Sequence, residues 1–277
     1  MHKRLSIGYQ LYSAREDVAN DMEGTLAQLA DMNYQGVEFA GFFDHSVKDI
    51  HRLMKKTGLT PISSHVQLRE IRENPHAVIA FHQDIGCPYI AVPSLSESDR
   101  PGSSGFAAAL QTLYTFGRLC KKHEITLLYH NHDVDFAEVS GQAGLDFILD
   151  AIPANLLQTE LDTCWVRCAG ADPVAYLRKY AQRSPLVHVH DFEGVLGERP
   201  PYALTGLDAT EPAVPAKTPF MFKPVGYGCQ DMPALIEAAK FCGTRWLIVE
   251  QDESLERPPL EAARMSVDYL LSQNLNR

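Results

Sequence analysis

No stretch of this chain stays apolar for the roughly 18 residues that a membrane-spanning helix needs, so an integral membrane protein is not expected. Met1-His2-Lys3-Arg4 leads into no apolar run of signal-peptide character. The six cysteines (Cys87, Cys120, Cys164, Cys168, Cys229 and Cys242) contain no CxxC pair. Their scatter suits reduced, mostly buried thiols and a cytoplasmic enzyme rather than a disulfide framework. Positive charge is scarce: 25 Lys and Arg stand against 35 Asp and Glu, a formal net charge of -10. A nucleic-acid backbone is therefore not the expected partner, because phosphate binding calls for a basic surface. Also lacking are a G-x-x-x-x-G-K-[ST] phosphate loop and a G-x-S-x-G nucleophile turn. Gly226-Tyr227-Gly228 is too short for a dinucleotide loop, and Ser63-Ser64-His65 has no recognisable oxyanion loop beside it.

What is present is an alternation of short β-rich runs and longer amphipathic segments along all 277 residues. Strands are expected at 5-9, 36-39, 61-65, 88-92, 125-130, 157-161, 186-190 and 246-250. Helices are expected at 19-33, 46-57, 72-85, 103-123, 143-151, 173-182, 231-242 and 258-273. Eight strands, each followed by a helix, make an α/β fold of the (β/α)8 TIM-barrel type, here a single domain over 1-277. Asp231 and Pro233 mark a helix start, and Gly58 and Gly243 mark helix ends. The connection at about 191-230 is long and rich in Pro, Gly and Thr. Connections of that length are usually functional, and a lid over the catalytic face or a subunit contact is expected, which leaves a homo-oligomer open.

The residues that carry chemistry sit where these strands turn polar: His130 and His132, Asp162, His188 and His190, and Glu250. Imidazoles and carboxylates are the usual protein ligands of divalent metals. In a parallel barrel, the C-terminal strand ends converge on one mouth. Strand alternation puts His130 and His132 on one face, with Asn131 opposite, and likewise pairs His188 with His190. Asp162 reads either as a ligand or as the cap of the next turn. Glu38 and His65 end the second and third strands, as substrate contacts or as a hydrogen-bonded pair at the mouth. Trp165, Tyr9, Phe42 and Phe43 are candidates for an apolar wall under a sugar ring. Lys223 and Arg199 are the cations of the long connection that a phosphate would need.

These residues resemble the xylose-isomerase-like TIM barrels, the superfamily of sugar phosphate isomerases and epimerases. The resemblance covers nearly the whole chain. Ile7-Gly8-Tyr9-Gln10-Leu11-Tyr12 looks like the first strand of its inosose-dehydratase-like branch, and Tyr34-Gln35-Gly36-Val37-Glu38-Phe39 like the second strand. More specific are Tyr129-His130-Asn131-His132, Leu161-Asp162-Thr163 and Val249-Glu250-Gln251-Asp252. Pro224-Val225-Gly226-Tyr227-Gly228 resembles the family's V-G-x-G segment.

The resemblance implies one divalent metal ion, Mn2+ first and Mg2+, Co2+ or Zn2+ as alternatives. Its ligands would be His130, Asp162, His188 and Glu250. His188 is preferred to His190 because the family's ligand precedes an acid by three residues, here Asp191. Two departures stand out: His130 occupies a position where many members have glutamate, and His190 one where many have lysine. Trp165 stands near a histidine of the epimerases and of the endonuclease branch, which argues against an abasic-site endonuclease. The implied activity is a metal-dependent isomerase or epimerase of a keto-sugar or sugar phosphate, acting through an enediolate. The alternative is a lyase or dehydratase of a keto-sugar or keto-inositol. Glu250, His132 and His130 are the candidate catalytic groups, and Glu38, His65, Trp165, His190 and Tyr9 the candidate substrate contacts.

Overall fold

The computed structural model describes residues 5–195, 220–273 and 275. In chain order the elements are β1 (Ser6–Gln10), α1 (Arg15–Asp31), β2 (Gly36–Phe39), α2 (Val47–Thr57), β3 (Thr60–His65), α3 (Leu68–Glu73), α4 (Pro75–Asp84), β4 (Tyr89–Val92), α5 (Phe106–Lys122) and β5 (Thr126–His130). A two-residue hairpin, β6 (Glu138–Val139) and β7 (Gln142–Ala143), precedes α6 (Gly144–Ala151) and β8 (Gln158–Asp162). Then come α7 (Thr163–Cys168), α8 (Pro173–Lys179), β9 (Leu186–Val189), β10 (Asp191–Glu193), β11 (Met221–Lys223), α9 (Met232–Cys242), β12 (Trp246–Val249) and α10 (Pro259–Ser272). Eight of the strands close into a barrel in the order β1-β12-β9-β8-β5-β4-β3-β2, and every pairing in it is parallel. The fold is the expected TIM barrel, and each expected strand lies within two residues of its observed place.

Alternation divides the strand residues between two environments. Side chains such as Ile7, Tyr9, Val37, Phe39, Leu127, Tyr129, Leu161, Val187 and Val249 point outward and form the main core with the surrounding helices. Those pointing inward build a separate small cluster of Ile62, Tyr89, Ala91, Leu128, Leu186 and Ile248. Gly8 makes room for that filling: a Cβ there would lie 2.4 Å from Ile62 Cδ1. Further along the same strands the inward positions change from aliphatic to Gln10, Glu38, His65, His130, Glu160, Asp162 and His188, so a polar layer rests on an apolar plug.

The helix starts follow their signals. Asp231 accepts the Ala234 N–H, and Gly58 and Gly243 close their helices at positive φ. One expected helix is two. The segment 72-85 breaks at Asn74, because Pro75 has no N–H to continue the ladder and the Asn74 side chain caps Ala77 N instead. The short α7 was not expected. Its sequence, Thr163-Cys164-Trp165-Val166-Arg167-Cys168, lacks a helical stripe, and the Asp162 carboxylate starts it by accepting from Trp165 N at 2.8 Å.

Of the long connection, the described flanks are β10 and β11, which pair antiparallel with Asp191 opposite Lys223. Arg199 and the greater part of the expected lid lie outside the described residues. Among the described residues no helix is long and apolar enough to cross a membrane.

Candidate metal centre

His130 ends β5, Asp162 ends β8, His188 lies on β9 and Glu250 follows β12. Each offers one donor atom, and the four atoms lie within 4.8 Å of one another. All four residues are buried. The parallel register explains the convergence: Asp162 pairs with His188, and Ile248 with His188, so the three strand ends finish at nearly one height. Asn131 points the other way, as alternation requires. It locks β5 to β8 by accepting from Asp162 N at 3.0 Å and donating to Asp162 O at 3.3 Å.

His188 is held at both ring nitrogens. Nδ1 is 2.7 Å from Glu250 Oε2 and Nε2 is 2.8 Å from Glu38 Oε1. Glu38 also accepts from Gln10 Nε2 and Ser63 Oγ, and lies 3.0 Å from His65 Nε2. Glu160 adds a second carboxylate at this level, 2.9 Å from His65 Nε2, 3.4 Å from His188 Nε2 and 3.5 Å from His130 Nδ1. Beside them, His190 Nδ1 is 3.2 Å from Asp162 Oδ2, and its ring stacks on Phe222 at 4.5 Å.

The protonation states follow from these neighbours. Burial disfavours the charged form of Glu250 and of Glu160, but His188 outweighs it and holds both well below the usual carboxylate range. Burial likewise opposes charge on His188, and Glu250, Glu160 and Glu38 overcome it, so its pKa is well above the ordinary value. His65 is raised to about 10 against its burial by Glu38 and Glu160. His190 is raised to about 9 against its burial by Asp162. Burial and the charge of His188 lower His130 to about 3, and burial with His130 takes His132 well down. Burial and Glu250 raise Asp252 to about 7.

Two imidazoles and two carboxylates converging at bonding range are a donor set for a divalent cation. Metal ligands must be unprotonated: His130 is held neutral, and His188, charged between Glu250, Glu160 and Glu38, would give up its Nδ1 proton to an ion bound there. His130 Nδ1 and Glu160 Oε1 have no hydrogen-bond partner among the described residues, which buried polar atoms rarely tolerate. The donors present therefore fit such an ion.

A cavity of about 450 Å3 opens beside the cluster, lined by His65, His130, His132, Glu250 and Asp252 among others. It reaches three of the candidate catalytic groups, but of the candidate substrate contacts only His65. Tyr9 does not line it: an outward strand position turns its ring onto Tyr34, 5.2 Å away, in the layer between barrel and helices. Tyr12, one turn later, lines the cavity instead. Glu38 is fully buried under His188 and His65, so it supports the site from below. His190 and Trp165 are sealed from the cavity by their own packing, Trp165 lying 5.3 Å from His132 and 5.9 Å from Phe222. Phe42 lines the cavity, whereas Phe43 is 40% exposed on a left-handed turn and does not. Lys223 is bound by Glu193 and Glu256, each at 2.9 Å, and is not free to meet a phosphate.

Two residues of the site were given no role from the sequence, although Asp252 stands in the Val249-Glu250-Gln251-Asp252 run quoted above. Glu160 is two positions before Asp162, and alternation alone puts it on the same inward face. Asp252 is two after Glu250, beyond the strand, where no periodicity applies.

The chain matches the family model of the xylose isomerase-like TIM barrel over residues 26–273. An inosose dehydratase of Geobacillus kaustophilus (strain HTA426) is 22% identical over 275 residues, which is 88% of this chain and 85% of that protein. Among solved structures, a sugar phosphate isomerase/epimerase from Parabacteroides distasonis ATCC 8503 superposes with a TM-score of 0.76 at 20% identity, covering 100% of this chain and 96% of the other. The IOLI protein, solved with a bound zinc atom, gives a TM-score of 0.71 at 13% identity over 97% and 98% of the two chains. The chain belongs to the xylose isomerase-like TIM-barrel family.

Proposed function

We propose that this protein is a divalent-metal-dependent enzyme that transfers a proton at the carbon next to the carbonyl of a keto-sugar, as an isomerase or epimerase. The observation that carries the reading is the set His130, Asp162, His188 and Glu250, four buried donors within 4.8 Å at the mouth of the barrel. These residues would hold the ion, and Mn2+ is the first expectation, with zinc in a structural neighbour supporting a divalent metal. A bound cation acts as a Lewis acid on a carbonyl oxygen and so acidifies the adjacent C–H bond.

The chain's own groups handle the proton. Glu250 lines the cavity and is ionised, so it can accept a proton, but the charge of His188 beside it weakens it as a base until that charge is lost. His132 lines the same cavity, neutral through burial, and suits a hydrogen bond to a substrate hydroxyl. Asp252 is the second carboxylate at the cavity wall, and its Oδ2 lacks a partner among the described residues. Glu250 on one side and Asp252 or His132 on the other provide the pair that removes a proton and returns one. His65 reaches the cavity from β3 with its Nε2 committed to Glu38 and Glu160, so it meets a substrate with its ring face or Nδ1 side.

A dehydratase is the second reading, favoured by the curated relatives named inosose dehydratase. Expulsion of a β-hydroxyl from the same enediolate turns the isomerase chemistry into a lyase, which the site geometry permits equally. Incubating the Mn2+-loaded protein with a panel of keto-sugars and keto-inositols in D2O separates the two. Deuterium entry without loss of water indicates an isomerase or epimerase, and a dehydrated product indicates a lyase. No exchange and no product across the panel would sink the enzyme reading.

A further inference from the structure

The cavity has two unlike ends. Strand tips supply the polar one, with His65, His130, His132, Glu250 and Asp252. The other is built by the loop after β2 and by α4, where Phe42, Val78 and Phe81 give it apolar faces, and Gln67, Glu70 and His82 line the cavity as well. The Phe42 and Phe81 rings lie 4.5 Å apart, and Phe42 leans on Phe39 at 5.0 Å. Phe39 is fully buried in the main core, so this aromatic wall is anchored, while Phe42 and Phe81 stay half-buried and face the opening. On the opposite side of the mouth, Trp165, Phe192 and Phe222 pack together and close the barrel over His190. Among the described residues the cavity therefore extends from the candidate ligands toward α4.

The phenyl faces there are a poor place for hydroxyls and Glu70 a poor neighbour for a phosphate, while Gln67 and His82, whose Nε2 lacks a partner among the described residues, are the polar groups beside them. Hydroxyls laid against phenyl faces lose water without gaining partners. Among the described residues no Lys or Arg lines the cavity, and Lys223 is held by two glutamates. At about 450 Å3 the space lies within the usual range for drug-sized ligands, about 300–1,000 Å3.

We infer that the substrate is amphipathic: an unphosphorylated keto-sugar or keto-cyclitol whose polyol meets the strand tips, and which carries an apolar group of aryl or short-alkyl size that lies on Phe42 and Phe81. The inference rests on the sugar chemistry proposed above and narrows its substrate class.

Calorimetric titration of the Mn2+-loaded protein with D-glucose, the phenyl α- and β-D-glucosides and D-glucose 6-phosphate tests it, because none of these needs to react. One phenyl glucoside is expected to bind at least about tenfold more tightly than glucose, from the apolar area it buries. Phe81→Ala should remove most of that gain and Phe81→Leu only part of it, with Mn2+ affinity and glucose affinity little changed. Equal binding of glucose and both phenyl glucosides, tightest binding of the phosphate, or a gain that survives in both variants overturns the inference while leaving the sugar reading intact. If Mn2+ binds but none of the four sugars does, the sugar reading fails and this inference with it. The wild-type comparison decides even if Phe81→Ala does not fold.

Discussion

Glu38 and His188 are 150 residues apart in the chain, yet Glu38 Oε1 lies 2.8 Å from His188 Nε2 at the centre of the barrel. The contact fixes which nitrogen of His188 faces upward. With Nε2–H donated to Glu38, Nδ1 is directed at Glu250 and at the donor cluster. A carboxylate behind a ligating histidine orients the ring and raises its basicity.

Glu38→Gln should therefore weaken divalent-metal affinity by about 10- to 100-fold, the usual effect of losing such a support. The amide keeps the shape, so the fold should survive. Calorimetric Mn2+ titration of both proteins reads this directly, and equal affinities would show that Glu38 only fills space.

Glu250→Gln removes a donor and a base together. Metal binding should weaken, and proton exchange on the true substrate should fall by at least about 100-fold. His132→Asn should leave Mn2+ affinity near the wild-type value and reduce turnover, if His132 meets substrate rather than metal. Full activity in both variants would place the chemistry elsewhere.

Asp191 is expected to be the keystone of the loop before α9. Its buried carboxylate accepts from Phe192 N at 2.9 Å, Gly226 N at 3.0 Å, Gly228 N at 2.9 Å and Gln230 N at 3.2 Å. Asp191→Ala would leave four backbone donors without a partner, at a cost of about 3 kcal/mol or more. Gly228→Ala should destabilise too, since a Cβ there would come 2.3 Å from Asp191 Oδ1. Urea midpoints of the two variants check both expectations.

His82 supplies a pH dependence separate from the donor cluster. Burial lowers its pKa to about 4, with Nδ1 bonded to Val78 O at 2.6 Å. In the unfolded chain an ordinary histidine titrates near 6.5. The unfolded state then binds more protons between those values, so stability is intact above about pH 6.5 and falls as the pH drops toward 4. The loss assigned to this group is about 3 kcal/mol. Replacing it by His82→Gln should flatten the curve by up to one proton, measured as unfolding free energy against pH in wild type and variant.

The barrel itself was legible in the sequence, because period-2 runs of Val, Ile and Leu separated by amphipathic segments admit few other architectures. So was the convergence of four donor side chains at strand ends: His130, Asp162, His188 and Glu250 each follow an apolar run, and parallel topology brings such ends together. Sequence could not decide which polar residues stand above the plug and which beneath or behind it. Glu38 and His65 looked alike, yet only His65 reaches the cavity, because the shift of pairing register between Val37 and Glu38 sets their heights. Tyr9 was legible as strand but not by side, since a run of five residues with polar and apolar neighbours gives no firm inward face. Trp165 and His190 are withdrawn by contacts with Phe222 that come from the return strand β11, more than thirty residues later. The Glu160–His65 pairing, the cavity and its Phe42–Phe81 wall exist only once eight strands close, for each joins segments whose distance along the chain carries no information about their distance in space.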